Sequence, residues 1–115
     1  MEKKYDLEER TARFGESIIL FCKKIPQGTI TNPLITQLIK AGTSVGANFA
    51  EADDAVSKKD FKNKIGICKK EARESKHFLR MVSTAVPSLK SDAIYLWNEA
   101  KELNLIFNAI FRKIT

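Results

Sequence analysis

Glu74 and His77 stand three residues apart in a lysine-rich run, the spacing at which a carboxylate and an imidazole can share one helix face and one metal ion. Carboxylate-bridged di-iron bundles need that pair on two helices plus two further carboxylates, and His77 is the sole histidine of the chain. No metal site is therefore expected. Cys22 and Cys68 lie far apart, neither in a Cys-x-x-Cys pair, and each falls in an apolar helical row; both read as core thiols and not as redox or metal-binding groups. No serine or cysteine has neighbours that suggest an activating base and an orienting acid, so nucleophilic catalysis is not expected. The glycine-containing stretch from Gly42 to Gly46 lacks the Gly-Lys-Ser/Thr ending of a phosphate loop. These residues describe a protein without enzymatic activity, cofactor or metal, which leaves charge and shape as its working chemistry.

The charge is concentrated. From Lys58 to Arg80 nine basic residues (Lys58, Lys59, Lys62, Lys64, Lys69, Lys70, Arg73, Lys76, Arg80) face three acidic ones (Asp60, Glu71, Glu74), whereas the rest of the chain holds eleven of each sign. At ~100° per residue a helix places Lys58, Lys62, Lys69, Arg73, Lys76 and Arg80 on one flank of its core row, with Asp60, Glu71 and Glu74 on the other. A basic stripe of that length can neutralise several phosphates of RNA or DNA, without sequence readout and with steep salt dependence. Opposite charges on opposite flanks equally suit a head-to-tail contact between copies, and such contacts close into rings. The stripe itself contains no aromatic residues, which counts against base stacking.

A second cluster, Gly42-Thr43-Ser44-Val45-Gly46-Ala47-Asn48-Phe49-Ala50-Glu51, places two glycines inside a helical pattern at a cost of ~1 kcal/mol each. Gly42 and Gly46, four apart, predict a close helix crossing. Ser44, Asn48 and Glu51 share another flank beside the core. Together with Glu71 and Glu74 they are expected to serve structure and assembly, with Arg10 and Arg13 as partners inside the chain or a neighbouring subunit's basic flank as the alternative. On that reading Glu51→Ala or Glu71→Ala lowers stability or dissociates the oligomer.

These residues need elements to position them, and apolar spacing supplies four. Helix 1, about residues 7–25, starts on Asp6 as N-cap with Glu9 three residues on, and buries Leu7, Phe14, Ile18, Phe21, Cys22 and Ile25. Helix 2, about 33–56, starts at Asn32-Pro33 and buries Leu34, Leu38, Ala41, Val45, Phe49, Ala52 and Val56. Helix 3, about 58–86, is capped by Ser57 and buries Phe61, Ile65, Cys68, Ala72, Ser75, Leu79 and Val82. Helix 4, about 91–113, is capped by Ser91 or Asp92 and buries Ile94, Trp97, Ala100, Leu103, Phe107, Ile110 and Ile114. Short connections make consecutive helices antiparallel, so the fold class is all-α: an up-down-up-down four-helix bundle forming one domain over residues 1–115.

The 115 residues, 43% hydrophobic, suffice for one core without disulfides. The longest apolar run, Ile18 to Phe21, is far short of the ~20 residues of a membrane span. The start, Met1-Glu2-Lys3-Lys4-Tyr5-Asp6, has no apolar stretch before a cleavage site, so a soluble, cytoplasmic protein is expected. The formal net charge of +6 favours polyanionic partners.

Three stretches carry a family resemblance: Ala41 to Ala52, then Ser57-Lys58-Lys59-Asp60-Phe61, then Lys70-Glu71-Ala72-Arg73-Glu74-Ser75. They resemble the bacterial four-helix-bundle family of 23S ribosomal RNA intervening-sequence proteins; Arg10-Thr11, Phe14 and Glu99 to Leu103 fit as well. The chain departs from that pattern at Lys40-Ala41-Gly42, where arginine, serine and a small residue are expected, and at Phe78, often tryptophan. The family is encoded in insertions within the large ribosomal RNA gene or elsewhere in bacterial genomes, and is similar to the accessory protein of diversity-generating retroelements, a basic pentamer that associates with a reverse transcriptase and nucleic acid. The resemblance implies a homopentamer, RNA or DNA as partner, and a nucleic-acid-processing protein as a further partner.

Overall fold

The structure, a computed structural model, describes residues 6–114. The segment Met1 to Tyr5, on which the expectation about a secretion signal rests, lies outside the described residues. Four α-helices follow one another: α1 (Leu7–Cys22), α2 (Thr31–Asp53), α3 (Lys58–Ala85) and α4 (Lys90–Lys113), with a short 3-10 turn, Pro87–Leu89, leading into α4. Among the described residues there is no strand. The body measures 44 × 27 × 20 Å.

Cross-helix contacts fix the directions. Ile18 meets Gly42 while Thr11 meets Gly46, so α1 and α2 run antiparallel. Cys68 Sγ lies 3.5 Å from the Val45 carbonyl and Lys64 reaches Glu51, which sets α3 antiparallel to α2. Lys76 covers Trp97 and Gly66 meets Phe111, which sets α4 antiparallel to α3. Lys24 pairs with Asp92 and Arg10 with Glu99 and Glu102, closing the ring between α1 and α4. The result is an up-down-up-down bundle. Its fourth seam, α1 against α4, is far less extensive than the other three.

The core is one continuous cluster to which all four helices contribute, centred on Ile18, Leu38, Val45, Ile65, Cys68, Leu79, Leu103 and Phe107, all fully buried. Two polar side chains share it and are satisfied locally: Thr11 Oγ1 donates to the Leu7 carbonyl at 2.7 Å and Ser75 Oγ to the Glu71 carbonyl at 2.9 Å.

Local chemistry explains where the elements start and stop. Asp6 accepts from the Glu9 amide and Ser57 from the Asp60 amide, each satisfying an amide of the first turn that has no partner within its helix. The expected Asn32 cap is not made: α2 begins earlier, at Thr31, and the Asn32 side chain accepts from the Gly28 amide in the preceding turn. Nor does Ser91 or Asp92 cap α4, because the 3-10 turn runs straight into the helix and Asp92 is drawn to Lys24. α1 ends at Cys22, although Ile25 stays buried through a turn in which its amide donates to the Cys22 carbonyl. Val56, expected in the core, is 94% exposed: α2 stops at Asp53, and Ser57 must be extended to cap α3, which points Val56 outward. In α4 the buried row is Ala93, Leu96, Ala100, Leu103 and Phe107, while Ile94 is 48% exposed; the expected row gave weight to bulk at Ile94 where phase selects the small Ala93.

The α1–α2 crossing is close because Gly42 is bare. A Cβ there would come within 2.7 Å of Ile18 Cγ1, and one at Gly46 within 3.3 Å of the Thr11 backbone. At Gly15, by contrast, an added Cβ would find ordinary contacts from 3.5 Å.

Candidate nucleic-acid interface

The six residues of the basic stripe run along α3 from Lys58, its first residue, to Arg80. Lys58, Arg73 and Arg80 are exposed; Lys62, Lys69 and Lys76 are half-buried, because their stems lie across the seam with α4. Two aromatic rings of α4 receive them. Lys62 and Lys69 Nζ sit 4.9 and 4.7 Å from the centroid of Phe111, and Lys76 Nζ sits 5.0 Å from that of Trp97, which Lys101 also approaches at 5.7 Å. A cation over a ring face at such distances is stabilised by ~0.5–1 kcal/mol. The stripe therefore does have aromatic neighbours, contrary to the expectation from α3 alone.

The seam is built to hold this arrangement. Gly66 leaves room for Phe111 to lie against α3; a Cβ there would be 3.2 Å from the ring. Asn104 Nδ2 donates to the Lys69 carbonyl at 2.8 Å, tying the helices, and Lys69 Nζ donates to Asn108 Oδ1 at 3.2 Å, which orients the ammonium. Toward the end of α3 a shallow trough is lined by Leu79, Arg80, Ser83, Thr84, Lys90, Ala93, Ile94 and Trp97. Gly66, Trp97 and Phe111 carry a sequence signal that was missed: a glycine inside a helix, and two aromatics two heptads apart on one flank of α4.

Among the described residues none of the six stripe residues forms an ion pair. The cations that do are Arg10 with Glu99 (2.8 Å) and Glu102 (2.7 Å), Arg13 with Glu9 (2.8 Å), Lys24 with Asp92 (3.0 Å), and Lys64 with Glu51 (2.7 Å). The two carboxylates beside it raise the Arg10 pKa further above its ordinary value, Glu99 most of all. Arg10 and Arg13, expected as partners of the polar and acidic residues on α2 and α3, pair elsewhere. Thr43, Gly46, Ala47 and Ala50 are the α2 residues that line the cleft with α1, and Arg10 and Arg13 find carboxylates on α4 and on α1 itself.

The remaining site candidates are dispersed. Gly42 and Gly46 meet α1. Ser44 and Asn48 are connected only through the backbone, Asn48 Nδ2 donating to the Ser44 carbonyl at 2.9 Å. Glu51 is an exposed partner of Lys64, whose pKa it raises. Asp60 occupies the first turn of α3, where a negative charge suits the helix dipole. Glu71 is partly buried, and its pKa is raised by that burial and then by the neighbouring charge of Glu74; Lys70 and Lys40 act in the opposite sense. His77 is exposed, with its ring edge-on to Phe78 at 5.0 Å. Among the described residues no three His, Cys, Asp or Glu side chains converge as a metal site would require, and no helix is long and apolar enough to cross a membrane.

No curated protein matches the chain. A solved structure from Bacteroides thetaiotaomicron, described as a protein of unknown function from the S23 ribosomal protein family, superposes with a TM-score of 0.82 at 25% identity, covering 92% of this chain and 98% of that one. The sequence pattern of the 23S rRNA-intervening sequence protein family matches residues 3–109, nearly the whole chain. With four helices in the order and packing just described and a match of that extent, the chain belongs to the 23S rRNA-intervening sequence protein family.

Proposed function

We propose that the protein is a non-enzymatic, cytoplasmic, homo-oligomeric bundle, pentameric in the assembly the family likeness suggests, that binds RNA or DNA through phosphates on the α3 flank formed by Lys58, Lys62, Lys69, Arg73, Lys76 and Arg80. The observation that carries this reading is the unpaired state of those six cations among the described residues, on a helix whose acids lie on its other side. Cations already paired with carboxylates would have to surrender them to bind phosphate. These have no such competitor. Similarity to a member of the S23 ribosomal protein family supports an RNA association.

Glu71 supports the homo-oligomeric part. It is partly buried beside Glu74 and has no ion-pair partner among the described residues, so a cation from a second copy would relieve it. A head-to-tail contact that brings a cation from outside the stripe of one copy to the acidic side of α3 on the next would supply that charge, leave the stripe free for phosphates and close into a ring.

The test is a binding titration with RNA and DNA at two salt concentrations, together with light scattering to read the assembly. Replacing Lys62, Lys69, Arg73 and Lys76 by glutamine is expected to weaken binding and flatten its salt dependence by about one unit of slope per lost phosphate contact, with the oligomer intact. Unchanged binding in that variant would sink the nucleic-acid reading. Loss of the oligomer without any nucleic-acid binding by the parent protein would leave these flanks as an assembly surface alone.

A further inference from the structure

We infer that the α3–α4 seam is a groove for single-stranded nucleic acid, in which bases stack on Trp97 and Phe111 while the lysines now lying over those rings move to the phosphates. The inference rests on the phosphate-binding reading above and adds to it the class of strand bound.

Phosphate binding alone asks for exposed cations, and it gives no role to rings beneath them. Here three of the four stripe lysines end over an aromatic face: Lys62 and Lys69 over Phe111, Lys76 over Trp97. Both rings are only partly buried, so a displaced ammonium uncovers a π-face at the surface of the groove. Any base has a π-face to offer, which makes stacking tolerant of sequence. Exchange of a cation for a base on the ring, with that cation transferred to the adjacent phosphate, keeps both the ring and the ammonium partnered. A duplex cannot make the exchange, because its bases already stack on one another and present only their edges.

The dimensions agree. Trp97 and Phe111 lie on one flank of α4, and fourteen residues of helix separate them by about 21 Å. At the ~3.4 Å rise of stacked bases that span holds at most about six nucleotides, and an extended strand crosses it with fewer. At the Trp97 end the trough continues the path: Ile94 extends the apolar floor, Ser83 and Thr84 offer hydroxyls, and Arg80 and Lys90 provide positive charge at its rim. At the Phe111 end, Gly66 admits the ring and Asn108 holds the Lys69 ammonium beside it.

Trp97 is the only tryptophan, so its fluorescence reports on the groove directly. The full-length oligomer is titrated with oligo(dT), oligo(rU) and a mixed-sequence duplex at equal phosphate concentration. Either single strand is expected to quench Trp97 emission and to bind about tenfold more tightly than the duplex, the gain that stacking on one or two rings provides. Trp97→Leu with Phe111→Leu should erase the preference for single strands, and Trp97→Phe should retain most of it. Equal affinity for duplex and single strand, with emission unchanged, overturns this inference and leaves phosphate binding standing. Absence of binding to all three probes removes both.

Discussion

Burial pushes the Cys68 thiol up to about 12 and the Cys22 thiol up to about 11, because the interior offers a thiolate no solvation. Two outcomes follow at the residue scale. Native protein should react with a thiol-specific reagent at a small fraction of the rate seen in denaturant, since the nucleophile is the thiolate. In the unfolded chain these thiols ionise near ~8.5. Stability from the two groups is therefore complete below that pH and is lost as pH rises through 11 to 12, which a pH series of denaturation midpoints would show. Glu71 has the same sign by a different cause. Its raised pKa means that its contribution is fully present below the ordinary carboxylate range and lost as pH rises through the raised value. For the unassembled chain, Glu71→Gln should thus raise the midpoint at neutral pH; a fall would show that the carboxylate is already compensated. The lysines of the stripe were legible because one helical wheel contains them. The rings beneath them were not, since wheels of α3 and α4 drawn separately do not reveal which flanks meet. Arg10 was misassigned for the same reason: its carboxylates lie on α4, about ninety positions along the chain.

At the scale of the element, the interior glycines of the bundle are not equivalent. A methyl group at Gly42 would collide with Ile18, a fully buried side chain with no free space to enter. Gly42→Ala should therefore cost about 1–3 kcal/mol by overpacking, more than the ~1 kcal/mol that alanine gains by helix propensity. Gly15→Ala meets only ordinary contacts, so propensity should win and thermal stability should be equal to or above the parent. Paired melting curves of the two variants test the crossing. That a close approach would occur at Gly42 and Gly46 could be read from two glycines four apart; that Ile18 fills the space could not. Start signals were legible where a side chain caps its own helix, as at Asp6 and Ser57. They failed at α2 and α4, where a preceding turn provides the first hydrogen bonds and leaves Asn32 and Asp92 for other partners.

The arrangement of the whole molecule was the most legible feature, because four amphipathic segments joined by short connections have few ways to bury their apolar faces. Three of the resulting seams join helices adjacent in the chain, and only α1 against α4 joins its ends. Phe14 and Leu96 line that seam, and at its surface Arg10 clasps Glu99 and Glu102. The kinetic consequence is an order of events. Hairpins of neighbouring helices close over short loops at little entropic cost, whereas the α1–α4 contact must await them. Arg10→Gln should consequently leave the refolding rate nearly unchanged and speed unfolding, the pattern of an interaction absent from the transition state. The effect should shrink in high salt, where the parent's own clasp is screened. A chevron plot of both proteins would reveal it. Equal shifts in both limbs would mean that the chain ends meet early, and that the least extensive seam helps to organise the others.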